Sequence, residues 1–347
     1  MIIECSKCEK KFKLEEKKLP KGKIITFPCQ NCGAKFRLDL RTGQTLNQPS
    51  DRLETADTDS PPSQPNNPVN NEGLKDQILK RVKELPPMPQ VVLKTQELIA
   101  DSMADAKKIA EIIETDQSIA TKVLKVANSA YYGMSGKISS ISHASVVMGH
   151  KILGEVVTMA GAEGLLDGNL AGYGYDSKDL WKHSLAVAFG SKILTHSDNS
   201  DLAKEAHMAG LIHDVGKIIL DSHIAEKKAE IESFMENEEK TFLEAESHFF
   251  GFNHADIASE VCKKWNFPQS LSSAIKHHHL PSASEGNKLS YILHMADYIA
   301  ILSGIGYDSD DVLYELEEGT MNYLSVTHEN VSELVATVTE SVNKISI

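Results

Sequence analysis

Ala209-Gly-Leu-Ile-His213-Asp214-Val-Gly-Lys217-Ile-Ile-Leu220 sets an imidazole beside a carboxylate in a run whose other members, Lys217 apart, are apolar or small. It belongs to a stretch, 207–220, that is apolar nearly all round, the mark of a helix buried inside a bundle. A carboxylate buried there without a partner would cost several kcal/mol, so Asp214 requires a cation, a metal or a firm hydrogen-bond partner. His213 and Lys217, four apart on that helix, share a face with Ala209 and Gly210, whose small side chains leave room for an ion or a phosphate.

Working outward, eleven of the fourteen histidines lie between 183 and 294. His183 sits in Trp181-Lys-His-Ser-Leu-Ala-Val-Ala-Phe189 and His254 in Gly251-Phe-Asn-His-Ala-Asp256. The run His277-His278-His279 ends a helix two residues before Pro281, and Asp297 is embedded in the apolar stretch 289–300. Imidazole with carboxylate suits Fe, Mn or Zn, and open positions on such an ion can hold a water made nucleophilic by a lowered pKa. The competing reading is a metal-free network in which Asp214 and Asp297 accept hydrogen bonds from histidines and Lys217. His143, His150, His196, His207, His223, His248 and His328 read as surface or packing residues. His294, three before Asp297, is placed to orient that carboxylate, and Cys262 reads as a small buried apolar residue.

The helical pattern extends over the whole body. Leu74, Ile78, Val82 and Leu85 recur every three or four residues and stop at Pro86-Pro87. Ile109, Ile112 and Ile113 follow an N-cap at Asp105, and Ile119, Val123 and Val126 follow one at Asp116. Stretches 181–194 and 290–302 are again apolar all round. Hairpin signals are missing from this region, so residues 74–347 read as all-α, with the domain core over about 80–305 and C-terminal helices to 347. Ahead of it, residues 41–73 have no aromatic and hold five of the twelve prolines; they cannot bury enough apolar surface to fold and read as a disordered linker.

Residues 1–40 differ again. Cys5-x2-Cys8 and Cys29-x2-Cys32, twenty residues apart, have zinc-ribbon spacing, each pair offering two thiolates to one tetrahedral ion. Alternation at Phe12/Leu14 and at Phe36/Leu38/Leu40 gives short β-strands. So small a β module depends on its metal to fold. A pair of redox dithiols is the alternative, but no thioredoxin-like βαβ pattern surrounds either pair. Ten Lys/Arg against five Asp/Glu give this module a net charge of +5, which within the total of −13 leaves −18 for the rest. The body therefore repels nucleic acid and anionic lipid, and any polyanion contact runs through the ribbon. With no apolar run of membrane length and no signal-like N-terminus, the expected location is the cytoplasm, with no membrane partner.

Several segments together resemble the HD superfamily, and within it the HDOD family, the HD-related output domain of bacterial signalling proteins. They are Leu85-Pro-Pro-Met-Pro89, Asp116 through Asn128-Ser-Ala-Tyr-Tyr-Gly133, Ile138-Ser-Ser-Ile-Ser-His-Ala144, Gly210 through Lys217, and Trp265-Asn-Phe-Pro through His279. The four-cysteine module resembles the short zinc ribbons that open many bacterial regulatory proteins. The resemblance implies a mainly α, all-helical HD/HDOD-like bundle behind a small β zinc ribbon, with a regulatory role exerted on a protein partner. From catalytic HD phosphohydrolases it carries metal ligation onto His183, His213, Asp214 and Asp297. Further contacts fall on His254, His278 and His279, and Lys217 stands near a bound phosphate. The branch that hydrolyses cyclic dinucleotides continues past its paired histidines into Glu and Gly-Tyr-Pro, whereas here Leu280-Pro-Ser-Ala-Ser follows.

The expected function is bacterial signal transduction through protein or ligand binding, with zinc in the ribbon and Fe, Mn or Zn in the HD site. The alternative is a metal-dependent phosphohydrolase acting on a nucleotide or phosphoester, with Lys217 as its catalytic cation. Asn128-Ser129 reads either as a ligand contact or as turn chemistry at a helix end.

Overall fold

The computed structural model describes the backbone of short strands within residues 2–46. With side chains it describes residues 77, 78 and 80, then 88–99, 105–133, 136–166, 168–176, 178–195, 202–238, 240–306 and 316–345. Two units separate, residues 1–70 with 309–314, and residues 71–308 with 315–347.

In the first unit β1 (Ile2–Glu4) pairs antiparallel with β2 (Lys11–Lys13), and β3 (Ile24–Pro28), β4 (Lys35–Asp39) and β5 (Gln44–Leu46) form a three-stranded antiparallel sheet. Strand β5 pairs with β4 inside the stretch that composition alone assigns to the linker. Three residues are too few for a polar sequence to declare a strand. The four ribbon cysteines and the rest of the linker lie outside the described residues.

The second unit is helical. Its N-terminal part comprises α1 (Gln90–Ala100), α2 (Ala106–Ile113), α3 (Gln117–Ala127) and α4 (Ile141–Leu166). Asp105 caps α2 through Lys107 N at 2.9 Å, and Asp116 caps α3 through Ser118 and Ile119 N at 3.0 Å, which satisfies helix-end donors that would otherwise be orphaned. Asn128 ends α3 and ties it to the next loop, donating to Leu124 O and Ile138 O and accepting from Ile138 N. This is the turn chemistry of the two readings. Helix α4 bends at Gly149, whose φ of 72° suits a residue without Cβ, and packs on α1, α2 and α3.

The remaining helices build the site. They are α5 (Asp179–Leu194), α6 (Ser200–Ile212), α7 (Val215–Glu226), α8 (Lys228–Glu238), α9 (Phe242–Phe250), α10 (His254–Lys264), α11 (Gln269–Lys276), α12 (Lys288–Ser303), α13 (Thr320–Leu324) and α14 (His328–Ile345). Helix α5 is at the centre, packed against α6, α12 and α14, while α10 packs on α7 and α11. An isolated bridge, Leu170 to Tyr175, is the one piece of extended pairing among the described residues of this unit. None of the described helices is long and apolar enough to cross a membrane.

The stretch 207–220 is not one helix. It breaks between Ile212 and Val215, and His213-Asp214 occupy the break. An all-round apolar pattern reports burial, not continuity, so nothing in it marks the turn. Nor do the small residues beside the pair make room for an ion. A Cβ on Gly210 would lie 2.6 Å from Ala188 Cα of α5, and one on Gly216 only 2.0 Å from His254 O. Both glycines let backbones approach closely, which brings α6 onto α5 and α7 onto α10.

Candidate metal centre

The break between α6 and α7 aims His213 and Asp214 at one point, and four other elements bring their residues to it. His183 comes from α5, and His254 is the first residue of α10, held there by a reciprocal cap between Asn253 and Asp256. His278 and His279 follow the end of α11, and Asp297 comes from α12. The loop after α12 closes over the start of α5 at Gly306, where a Cβ would lie 2.3 Å from Asp179 O and 2.6 Å from His183 N.

Around Asp214 the spacings are short. Its Oδ2 lies 3.3 Å from His213 Nε2, 3.7 Å from His183 Nε2 and 2.8 Å from Lys217 Nζ. Its Oδ1 lies 3.3 Å from His254 Nε2 and 3.8 Å from His278 Nε2. Asp297 Oδ1 is 3.1 Å from His183 Nε2 and 4.0 Å from His213 Nε2. Ligand atoms about 2.1 Å from a common ion are separated by about 3.0 to 3.4 Å in octahedral or tetrahedral geometry. Three sets in this cluster have ligand atoms close enough to share an ion: His183, His213 and Asp214; His213, His278 and Asp297; and Asp214, His254, His278 and His279.

The hydrogen bonding around the cluster points its lone pairs inward. His213 Nδ1 donates to Gly210 O at 2.9 Å and His278 Nδ1 to Ile275 O at 2.6 Å, so each neutral ring leaves Nε2 as an acceptor facing the centre. His213 Nε2, His278 Nε2 and Asp214 Oδ1 are buried without a hydrogen-bond partner. Such groups are costly unless something else satisfies them, and cations held by the overlapping ligand sets would do so. The residues fit a divalent metal on that ground.

Electrostatics at Asp214, Asp297, His278 and His279 agree with this chemistry, while His183 is held toward its protonated form by the carboxylates that a metal would otherwise neutralise. Burial alone would raise the carboxyl of Asp214, but His213 and Lys217 override it and hold it well below the usual carboxylate range. Asp297 is likewise depressed against burial, chiefly by its hydrogen bond with His183. Burial, reinforced by His213, pushes His278 down to about 3, and burial with His278 lowers His279 strongly. His183 is opposed by burial but raised by Asp297. Anionic carboxylates and neutral imidazoles are the states a metal requires.

Several residues sit differently from their sequence reading. His277 faces away, bonded to Ser273 O at 2.9 Å, so the triple-histidine run contributes its second and third members. His294 does not orient Asp297: its Nδ1 donates to His278 O at 2.7 Å, and its Nε2 accepts from Glu317 N at 2.8 Å. It steadies the backbone that carries His278. Lys217 leaves the face it was expected to share with His213, because the helix starts anew after Asp214. It reaches back to Asp214 and lies 5.3 Å from the centroid of the Tyr175 ring. Cys262 is fully buried, as read.

Glu246 was missed. Fully buried on α9, it accepts from His254 N at 2.8 Å and His254 Nδ1 at 2.8 Å, and from Tyr173 OH. It fixes the His254 tautomer with Nε2 toward Asp214 and His279, the latter 2.8 Å away. Its only sequence signal is a charged residue in an otherwise amphipathic helix, which most often means a solvated face.

A model of the HDOD domain matches residues 85–281, and a zinc-ribbon domain model matches residues 1–37. An uncharacterized protein of Treponema pallidum (strain Nichols) is 24% identical over 217 residues, 62% of this chain. The chain spans only 42% of that relative's length. An HDOD domain protein of unknown function from Geobacter sulfurreducens shares the fold at a TM-score of 0.62 and 23% identity, covering 78% of this chain and 98% of its own. A Shewanella amazonensis SB2B structure named "Putative phosphohydrolase" matches at 0.60 and 21% identity, again over 78% and 98%.

Proposed function

Because the chain belongs to the HDOD domain family, we propose that it is a regulatory protein of bacterial signalling whose helical domain binds a divalent metal and, beside it, a phosphorylated ligand. The observation that carries the reading is that His213 Nε2, His278 Nε2 and Asp214 Oδ1 are buried without a hydrogen-bond partner inside a cluster in which three overlapping sets of ligand atoms lie close enough to hold an ion. His183, His213, Asp214 and Asp297 hold the metal, and His254, His278 and His279 extend the set on the far side of Asp214. The ion supplies a Lewis acid for a phosphoryl oxygen. Lys217, the cation at the edge of the set, offsets phosphate charge, and Glu246 keeps His254 in its metal-ready tautomer. Zinc belongs to the ribbon cysteines Cys5, Cys8, Cys29 and Cys32. The regulatory output runs through a protein partner in the cytoplasm.

His213, Asp214, His278 and Asp297 are each no more than 3% exposed, a dry setting that suits metal ligation in a binding site and in a catalytic one. A second reading, a metal-dependent phosphohydrolase, draws on the completeness of the ligand set and on Lys217 lying 2.8 Å from the carboxylate that two of the three candidate sets share. Elemental analysis of the full chain, purified without a metal-affinity tag, tests the proposal against an Asp214→Asn variant. The expected result is Fe, Mn or Zn beyond the ribbon's zinc, lost in the variant; equal metal content in both would overturn it. Assay of the metal-loaded chain with bis-p-nitrophenyl phosphate separates the two readings, since turnover abolished by Asp214→Asn belongs to the hydrolase alone.

A further inference from the structure

The cluster that would hold the ion is closed to solvent. His183, His213, Asp214, His254, His278 and Asp297 are buried, Lys217 is 7% exposed, and His279 alone of the set is half-buried. A phosphorylated ligand that pairs with Lys217 therefore needs a way in. The Lys217 ammonium, 2.8 Å from Asp214 Oδ2, also lies 5.7 and 5.3 Å from the ring centroids of Tyr173 and Tyr175 and donates to Tyr175 OH at 3.4 Å. Both tyrosines come from one turn, residues 168–176, which leads from α4 toward α5 and closes on itself at the bridge between Leu170 and Tyr175.

The turn is thin, and a few polar ties fasten it. Tyr173 and Tyr175 are buried while Ala171, Gly174 and Asp176 are exposed, so a single thickness of chain covers Lys217 on this side. Asp221 of α7 accepts from Gly172 N at 2.8 Å and from Tyr173 N at 3.4 Å, and half-buried Lys228 of α8 donates to Ala171 O at 2.9 Å. Tyr173 OH donates to Glu246. The point of attachment is Gly172, where a Cβ would lie 2.3 Å from Asp221 O. Three of the nine residues, Gly168, Gly172 and Gly174, are glycines, and Gly174 holds a φ of 75°, so the backbone around the tyrosines has unusual freedom to turn. Short segments held by a few polar ties are the parts of a fold that open locally while the surrounding helices stay in place.

We propose that residues 168–176 are the gate of the metal centre. The turn lifts from α7 as Asp221 releases Gly172 and Tyr173, the phosphorylated ligand reaches Lys217, and reclosure returns the two tyrosines over it. This rests on the metal and phosphate reading above and adds to it a control on entry, set by Asp221 and Lys228 outside the ligand set. With the gate shut, the aromatic rings keep water from the ligand and strengthen its pairing with the ammonium. Because the turn closes over the empty and the filled site alike, its ties govern how fast a ligand enters and leaves, and not how tightly it is held.

Two measurements on the full chain test this. Hydrogen exchange of the peptide spanning 168–176 should be about tenfold faster in Asp221→Ala, the worth of hydrogen bonds to a carboxylate, with α5 unchanged. Lys228→Met, which cuts a single exposed tie, should act the same way by less. On the Mn²⁺-loaded chain, ³¹P relaxation of inorganic phosphate reads both its exchange rate and its affinity. Asp221→Ala should speed phosphate exchange by about tenfold and leave affinity unchanged. Hydrogen exchange no faster in either variant would overturn the gate. So would phosphate rates that respond to Leu280→Trp, an exposed position beside half-buried His279, and not to Asp221→Ala. A chain that binds Mn²⁺ and phosphate with the same rates in Asp221→Ala removes the gate and leaves the metal centre standing; a chain that holds neither removes the centre, and the gate with it.

Discussion

Glu246 grips His254 at two atoms, the backbone N and the ring Nδ1, each at 2.8 Å, and so sets both the start of α10 and the direction of its imidazole. Replacing Glu246 with Gln keeps the size but leaves one carbonyl oxygen for three donors. The expected result is a loss of about 10- to 100-fold in metal affinity with the fold retained. Titration of the metal-free chain with Mn²⁺ measures it, and unchanged affinity would remove Glu246 from the centre.

The glycines flanking the His-Asp pair carry a second prediction. Gly216→Ala sets a Cβ 2.0 Å from His254 O, a backbone atom that cannot rotate away, and should cost about 3 kcal/mol. Gly210→Ala, against Ala188, should behave alike. Gly136→Ala, with nothing within 4 Å, is the neutral control. Urea midpoints of the three variants decide; equal midpoints would contradict the close helix approach.

Lys217→Met removes an ammonium from 2.8 Å of Asp214 Oδ2. Like charge no longer opposes the metal, so Mn²⁺ affinity should rise, by about tenfold or 1.4 kcal/mol. Inorganic phosphate should at the same time lose its hold on the metal-loaded chain. A fall in both affinities would instead mean that Lys217 serves to build the site.

Stability should fall on acidification. Burial holds folded His207 at about 4 against an ordinary value near 6.5, so between those pH values the unfolded chain takes up a proton that the folded chain refuses. Its contribution is full above about pH 6.5 and declines toward pH 4, by about 3 kcal/mol in all. His278, at about 3, extends the loss to lower pH, while the raised His183 contributes with the opposite sign, being lost as pH rises. Urea midpoints at pH 7, 5.5 and 4.5 should drop in sequence, and less steeply in His207→Phe. A flat series would sink the prediction.

Much of this architecture is legible in the sequence wherever a local rule is strong. Asp105 and Asp116 announce their helices because an N-cap needs only its own neighbours. His213-Asp214 announces a site because a carboxylate in an apolar run demands a partner. The helix break at that pair is not legible, because burial on every side erases the periodicity that would show it. Glu246 is hidden for a related reason: its meaning comes from Tyr173 and His254, 73 and 8 residues away, and not from its own surroundings. His207, read as packing, is indeed packed, but against a cleft that exists only once α1, α4 and α6 have met.

Helix α6 carries His207 near its middle and passes directly into His213, whose ring is tied back to Gly210 O at 2.9 Å. The residue that lets α6 lie against Ala188 of α5 is therefore the same one whose carbonyl holds a metal-ligating ring in place. Spacing between two helices and aim of an imidazole are thus one variable, and a change that pushes α6 off α5 should be felt in Mn²⁺ affinity as well as in stability.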